Sequence, residues 1–167
     1  MSWVDWVNGY IINHTESSGE VLYGVCRRGT IASFADGAIW GETNFNFLEY
    51  EFEMEDDNGK MVKGKVNEFN SLKEAWDNEG RSKSFGGIRM NNEKFVLSKF
   101  DSDTETMYLK SPLGGACVAK SGQCFVIGIF YTGTELVTQS GAKRTVANTL
   151  TNAAVENCRD KLVEAGF

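Results

Sequence analysis

The stretch from Phe85 to Tyr131 constrains this chain most, because strand-like runs follow one another there with tight-turn chemistry between them. Asn91-Asn92 tolerates positive φ, Ser102-Asp103 is a polar pair, Pro112 with Gly114-Gly115 breaks a ladder, and Ser121-Gly122 suits a two-residue hairpin. Four to five short strands in succession make an antiparallel meander. In the last of them Phe125, Ile127, Ile129 and Tyr131 alternate with Cys124, Val126, Gly128 and Phe130, so both faces are apolar. Such a sheet must be covered on both sides.

The flanking segments supply the cover. Ser2 caps a helix whose Trp3, Trp6, Val7, Tyr10 and Ile11 fall on one face. Lys143 to Phe167 reads as a longer helix with Ala147, Leu150, Ala154, Cys158 and Leu162 as its stripe, closed by Gly166. Asn67 or Asn70 opens a short helix carrying Phe69, Leu72 and Trp76, with Ser71 and Glu74 as a capping box and Gly80 at its end. Between the first two tryptophans and that helix, Val21 to Cys26 has strand character and Arg27-Arg28-Gly29 interrupts it. Thr30 to Ala35, the Asp36-Gly37 turn and Ala38-Ile39-Trp40 form a hairpin. From Leu48 to Val66 apolar residues alternate with Glu49, Glu51, Glu53 and Glu55. A three-residue loop, Asp57-Asn58-Gly59, pairs Met54 with Val62, Tyr50 with Val66, Glu53 with Lys63 and Glu51 with Lys65, with Gly59 left-handed. The Glu-Lys face of this hairpin reads as a solvated surface.

With 167 residues and no linker-like composition, the chain is expected to form one domain. A net charge of -6 argues against nucleic acid as the main partner, since phosphate binding needs a concentrated basic surface. No apolar run reaches the length of a bilayer span, and the acidic N-terminal stretch does not read as a signal peptide, so the cytosol is the expected compartment. Asn13-His14-Thr15 then matches a glycosylation triplet by chance. Four cysteines without CxxC spacing and the single His14, at the end of the first helix, offer no metal site and no nucleophile pair. With Ser121-Gly122 as the turn, Cys117 faces Val126 and Cys124 faces Ala119, too far apart to bridge, and free thiols are expected. No catalytic constellation or cofactor loop is present in the sequence.

In register along nearly its whole length, the chain resembles the profilins. Ser2-Trp3 with Trp6, Asp36-Gly37 with Trp40, Gly87-Ile88-Arg89-Met90 with Lys94, Gly114-Gly115 followed by Lys120 to Gly128, and the ending Glu164-Ala165-Gly166-Phe167 each match a family motif. The chain departs from the family in three places. Asn91-Asn92 replaces a glycine pair, the hairpin from Leu48 to Val66 stands where many profilins have a helix, as in some protist members, and the loop after Thr132 is extended and polar.

The resemblance implies an α+β fold, a central antiparallel sheet of about six or seven strands with the N- and C-terminal helices on one face and a short helix on the other. It also implies a non-enzymatic cytoplasmic protein that binds monomeric actin and proline-rich proteins such as formins, with phosphoinositides as ligands in several members. By register with the family, Lys94, Val96, Leu97, Lys99, Lys110, Thr149, Asn152 and Glu156 line the actin side, and Trp3, Trp6, Trp40, Lys161 and Phe167 the polyproline side. As residues alone, the tryptophans of the first helix are better explained by anchoring that helix to the sheet. Two other functions stay open. One is a phosphoinositide-responsive membrane-surface adaptor using Arg27, Arg28, Arg89, Lys94, Lys99, Lys110 and Lys120. The other is a small-ligand-binding domain of similar layered fold.

Overall fold

The computed structural model describes residues 1–167. Its centre is a seven-stranded antiparallel sheet in the order β4-β3-β11-β10-β9-β8-β7, built from β3 (Arg28–Ser33), β4 (Ile39–Thr43), β7 (Ile88–Met90), β8 (Glu93–Asp101), β9 (Thr106–Ser111), β10 (Gly114–Lys120) and β11 (Cys124–Tyr131). The last five strands are the meander, and β11 lies inside the sheet with both faces buried. Its two residue sets feed two cores. Cys124, Val126 and Phe130 pack with Val7, Ile11, Ala154, Val155, Cys158 and Leu162 under the terminal helices. Phe125, Ile127 and Ile129 pack with Phe69, Leu72, Ala75 and Trp76 under the short helix α2 (Glu68–Asp77). The alternation along one strand therefore decides which helix sits where.

The first helix, α1 (Trp3–Val7), is closed by the Ser2 hydroxyl and the Asp5 carboxylate in a capping box, then widens into a π-helical stretch over Asn8–Ile12. The last helix, α3 (Asn148–Glu164), begins later than its apolar stripe predicts. Lys143–Thr145 is instead a strand, β13, paired to β12 (Glu135–Thr138), and these join β1 (His14–Thr15) and β2 (Val21–Tyr23) in a second sheet of order β1-β2-β12-β13. The polar stretch after Thr132 is thus a hairpin held by long-range pairing rather than a loop. His14 sits buried in β1, and burial lowers its pKa.

Three further expectations are corrected by tertiary contacts. Arg28 and Gly29 do not interrupt a strand but begin β3, because Gly29 pairs with Gly128 of β11. Neither glycine has a Cβ, and the Ile11 side chain rests over both, so the first helix seats directly on the sheet. Gly114 and Gly115 do not break the ladder; they lie in β10, where a Cβ on Gly114 would fall 2.1 Å from the Phe130 carbonyl oxygen, and the turn is Pro112-Leu113. Ser121-Gly122 is not a two-residue turn either. Cys117 faces Gly128 and Ala119 faces Val126, a shift of two residues, with the Ser121 N–H donating to the Cys124 carbonyl. All four thiols, of Cys26, Cys117, Cys124 and Cys158, are free and buried. Burial raises their pKa values, that of Cys26 to about 12.

The side hairpin, β5 (Glu49–Glu55) with β6 (Met61–Asn67), has the register read from its alternation, and Gly59 has φ +75°. A β-branched residue is strained there, so Gly59→Val is expected to destabilise by about 1 kcal/mol or more in chemical denaturation. No measurable change would mean the loop is built differently. Ser71 and Glu74 do not form a capping box. Asn67 caps α2, and the Glu74 carboxylate accepts from the Lys83 N–H and the Ser84 hydroxyl instead, tying down the return loop. The hairpin is fastened by Glu68, fully buried, whose carboxylate accepts from the N–H groups of Leu48, Asn91 and Asn92 and from the Tyr50 hydroxyl at 2.8–2.9 Å. Asn91 and Asn92 both have positive φ, which aims their N–H groups at it.

Candidate functional site

Four aromatic rings from three distant parts of the chain meet at the surface where α1, β4 and α3 converge. Trp3 and Trp6 lie 6.0 Å apart on the first helix, as their spacing dictates. Gly41 carries no side chain, and a Cβ there would lie 2.6 Å from the Trp3 backbone, so α1 rests directly on β4 and Trp40 comes to 5.0 Å from Trp3. Phe167 is delivered by the end of α3. Gly166, at φ +92°, reverses the chain, with the Phe167 N–H donating to the Leu162 carbonyl and the Gly166 N–H to the Val163 carbonyl. The Phe167 carbonyl then accepts from the Ser121 hydroxyl at 3.0 Å and the Gln123 N–H at 2.7 Å. That bond both shifts the β10–β11 turn and fixes the Phe167 ring 5.1 Å from Trp3 and 5.9 Å from Trp40. All four rings are half-buried, packed on one side and open to solvent on the other. Lys161 does not join them. Its ammonium lies over the ring of Tyr10, 5.6 Å from the centroid, and the Tyr10 ring in turn packs against Trp6, 5.1 Å away and tilted by 54°. Tyr10 and Gln123 also border this surface, beyond the residues the family register assigns to it; the i, i+4 spacing of Trp6 and Tyr10 is the sequence signal for the first.

The second group lies at the other end of α3. Val96 and Lys110 are direct partners on β8 and β9, and Val96, 55% exposed, is an apolar centre with Lys94, Lys99 and Lys110 around it, all exposed. Beside them a cleft of about 330 Å³ runs between the strands and the start of α3, lined by Ser98, Tyr108, Lys110 and Asn152 among others. The Tyr108 hydroxyl donates to the Glu156 carboxylate, holding α3 against β9, and burial together with that carboxylate pushes the Tyr108 pKa up. Thr149 is exposed on the first turn of α3. Leu97 does not belong with these residues. It pairs with Leu109, which faces the opposite core, and its side chain lies against Gly80. A register shift between Leu97 and Lys99 returns Lys99 to the Tyr108 side.

The basic residues that would make a lipid surface do not assemble into one patch. Arg89 is buried over the Phe52 ring and donates to the Tyr50 hydroxyl, Arg28 donates to Tyr131 and the Asn44 carbonyl, and Lys120 lies over Phe34. No helix is long and apolar enough to cross a membrane.

A family model described as Profilin matches residues 1–167. The chain belongs to the profilin family. It is 32% identical over 162 residues to the profilin of Tetrahymena pyriformis, covering 93% of this chain and 95% of that one. Its fold is similar to that of Acanthamoeba castellanii profilin II, with TM-score 0.63 at 17% identity over 99% of this chain and 100% of the other. Schizosaccharomyces pombe profilin is similar at TM-score 0.59 and 16% identity, again over 99% and 100%. Profilins are non-enzymatic actin-binding proteins, and the α+β architecture expected from the sequence motifs is the one observed.

Proposed function

We propose that this profilin binds monomeric actin across β8, β9 and the N-terminal half of α3, binds a proline-rich segment, such as those of formins, on the Trp3–Trp6–Trp40–Phe167 surface, and regulates actin polymerisation in the cytoplasm. The observation that carries this reading is the ring cluster. Four half-exposed aromatic side chains brought together from residues 3 to 167 present flat faces and indole N–H donors, which suit a polyproline II segment with unpaired carbonyls and little conformational entropy to lose. The actin assignment rests on family membership and on a surface with an exposed apolar centre and charged rim. The two surfaces sit toward opposite ends of α3, whose 17 residues span about 25 Å, so they share no residue.

Retention of purified monomeric actin on the immobilised protein tests the first half. Lys94 and Lys99 are exposed, and Lys99 has only a 3.9 Å surface ion pair with Asp101, so their replacement leaves the fold intact. The double substitution Lys94→Glu and Lys99→Glu is expected to weaken actin binding about tenfold with unchanged thermal unfolding. Undiminished affinity would move the actin surface elsewhere.

A further inference from the structure

The row of rings does not stop at Trp6. From Trp40 through Trp3 and Trp6 to Tyr10 the centroids step by 5.0, 6.0 and 5.1 Å, a path of at most about 16 Å, and at its far end stands the Lys161 ammonium. Lys161 is half-buried and makes no ion pair. Of the acidic groups nearby, Asp5 is held in the α1 capping box and Asp160 by Arg159 at 2.7 Å, while Glu164, one turn further along α3, is exposed and makes no ion pair with Lys161. A polyproline II segment advances about 3.1 Å per residue, so about four residues cover the rings from Trp40 to Trp6, and the next residue or two lie over Tyr10 beside the unpaired cation.

We propose that Lys161, held over Tyr10, forms an end subsite that selects proline-rich segments carrying an acidic residue immediately beyond their prolines. The proposal rests on the ring cluster being the proline-rich site. Prolines alone bind through the rings and leave Lys161 as it is; a carboxylate at the end gains a charge-assisted hydrogen bond to a cation that no other group satisfies. A basic residue there is repelled.

The test uses the whole protein and pentaproline peptides with blocked termini, extended by Glu-Glu, Gln-Gln or Lys-Lys at either the C- or the N-terminal end, because polyproline II segments can lie in either direction. Tryptophan fluorescence gives the affinities. At low ionic strength the Glu-Glu peptide of at least one order is expected to bind about two- to fivefold tighter than its Gln-Gln counterpart, and the advantage shrinks in high salt. Lys161→Gln is expected to equalise the two without changing Gln-Gln affinity, and Lys161→Glu to reverse the preference toward Lys-Lys. Equal affinities in both orders, or an advantage that survives Lys161→Gln, overturns the end subsite while leaving the ring site standing. If no peptide of any charge binds, the ring site falls and the end subsite with it.

Discussion

Trp3→Ala is expected to abolish the saturable fluorescence change that a proline decamer produces in the native protein. Trp3 is the central ring, within 6.0 Å of Trp6, Trp40 and Phe167 alike, so its removal cuts Trp6 off from the Trp40–Phe167 pair, which stays 5.9 Å apart. A central aromatic anchor of this kind contributes about 2 kcal/mol or more, which corresponds to about a thirtyfold loss of affinity. Phe167→Ala removes one edge of the same surface, leaves Trp3 and Trp40 in contact, and costs less. The readout survives the substitution, because Trp6 and Trp40 remain at the surface while Trp76 is buried on the opposite side of the sheet among Phe125 and Phe100 and contributes constant background. The α1 backbone rests on Gly41 independently of the Trp3 indole, so the variant stays folded. A folded Trp3→Ala protein that binds the decamer as well as the native one would show that the rings are only a helix anchor.

The largest stability loss is expected on the other side of the molecule, at Glu68. Its carboxylate is the only acceptor for three backbone N–H groups and the Tyr50 hydroxyl, and Tyr50 in turn accepts from Arg89, itself 7% exposed. Glu68→Ala leaves four part-buried donors without their acceptor and frees the Tyr50 hydroxyl on which Arg89 rests, at a cost of about 3 kcal/mol. For a chain of this size that lowers Tm by about 10 °C. Hydrogen exchange localises the damage: the amides of Leu48, Asn91 and Asn92 are expected to lose protection first, while those under α3 keep theirs. Proline-peptide binding at the far face persists once the protein is folded. A Tm within about 2 °C of the native value would mean that water replaces the carboxylate without loss.

What the sequence determined by itself is whatever depends on neighbours a few residues apart. The period-two pattern from Leu48 to Val66, with Asp57-Asn58-Gly59 between, set the hairpin register pair by pair. The two-faced apolarity of β11 required two cores and two helical layers. The spacing of Trp3 and Trp6 put both rings on one face, and the ending Gly166-Phe167 announced the reversal that carries the last ring. The tertiary structure decided the rest, because those choices depend on groups far apart in the chain. The β10–β11 turn sits one residue later, at Gly122-Gln123, where the Phe167 carbonyl, 44 to 46 residues on, accepts from the Gln123 N–H and the Ser121 hydroxyl. Arg28 and Gly29 are strand because Gly29 meets Gly128, and Lys143–Thr145 is strand because β12 has an open edge. Leu97 faces away from Val96 by plain alternation and rests against Gly80, and what only the pairing with β9 decided is the register shift beyond it that returns Lys99 to the Tyr108 side. Lys161 stands over Tyr10 because the π-helical stretch and α3 pack side by side across the sheet. Local periodicity chooses which face a residue shares with its neighbours, and only the closing of distant segments chooses what that face meets.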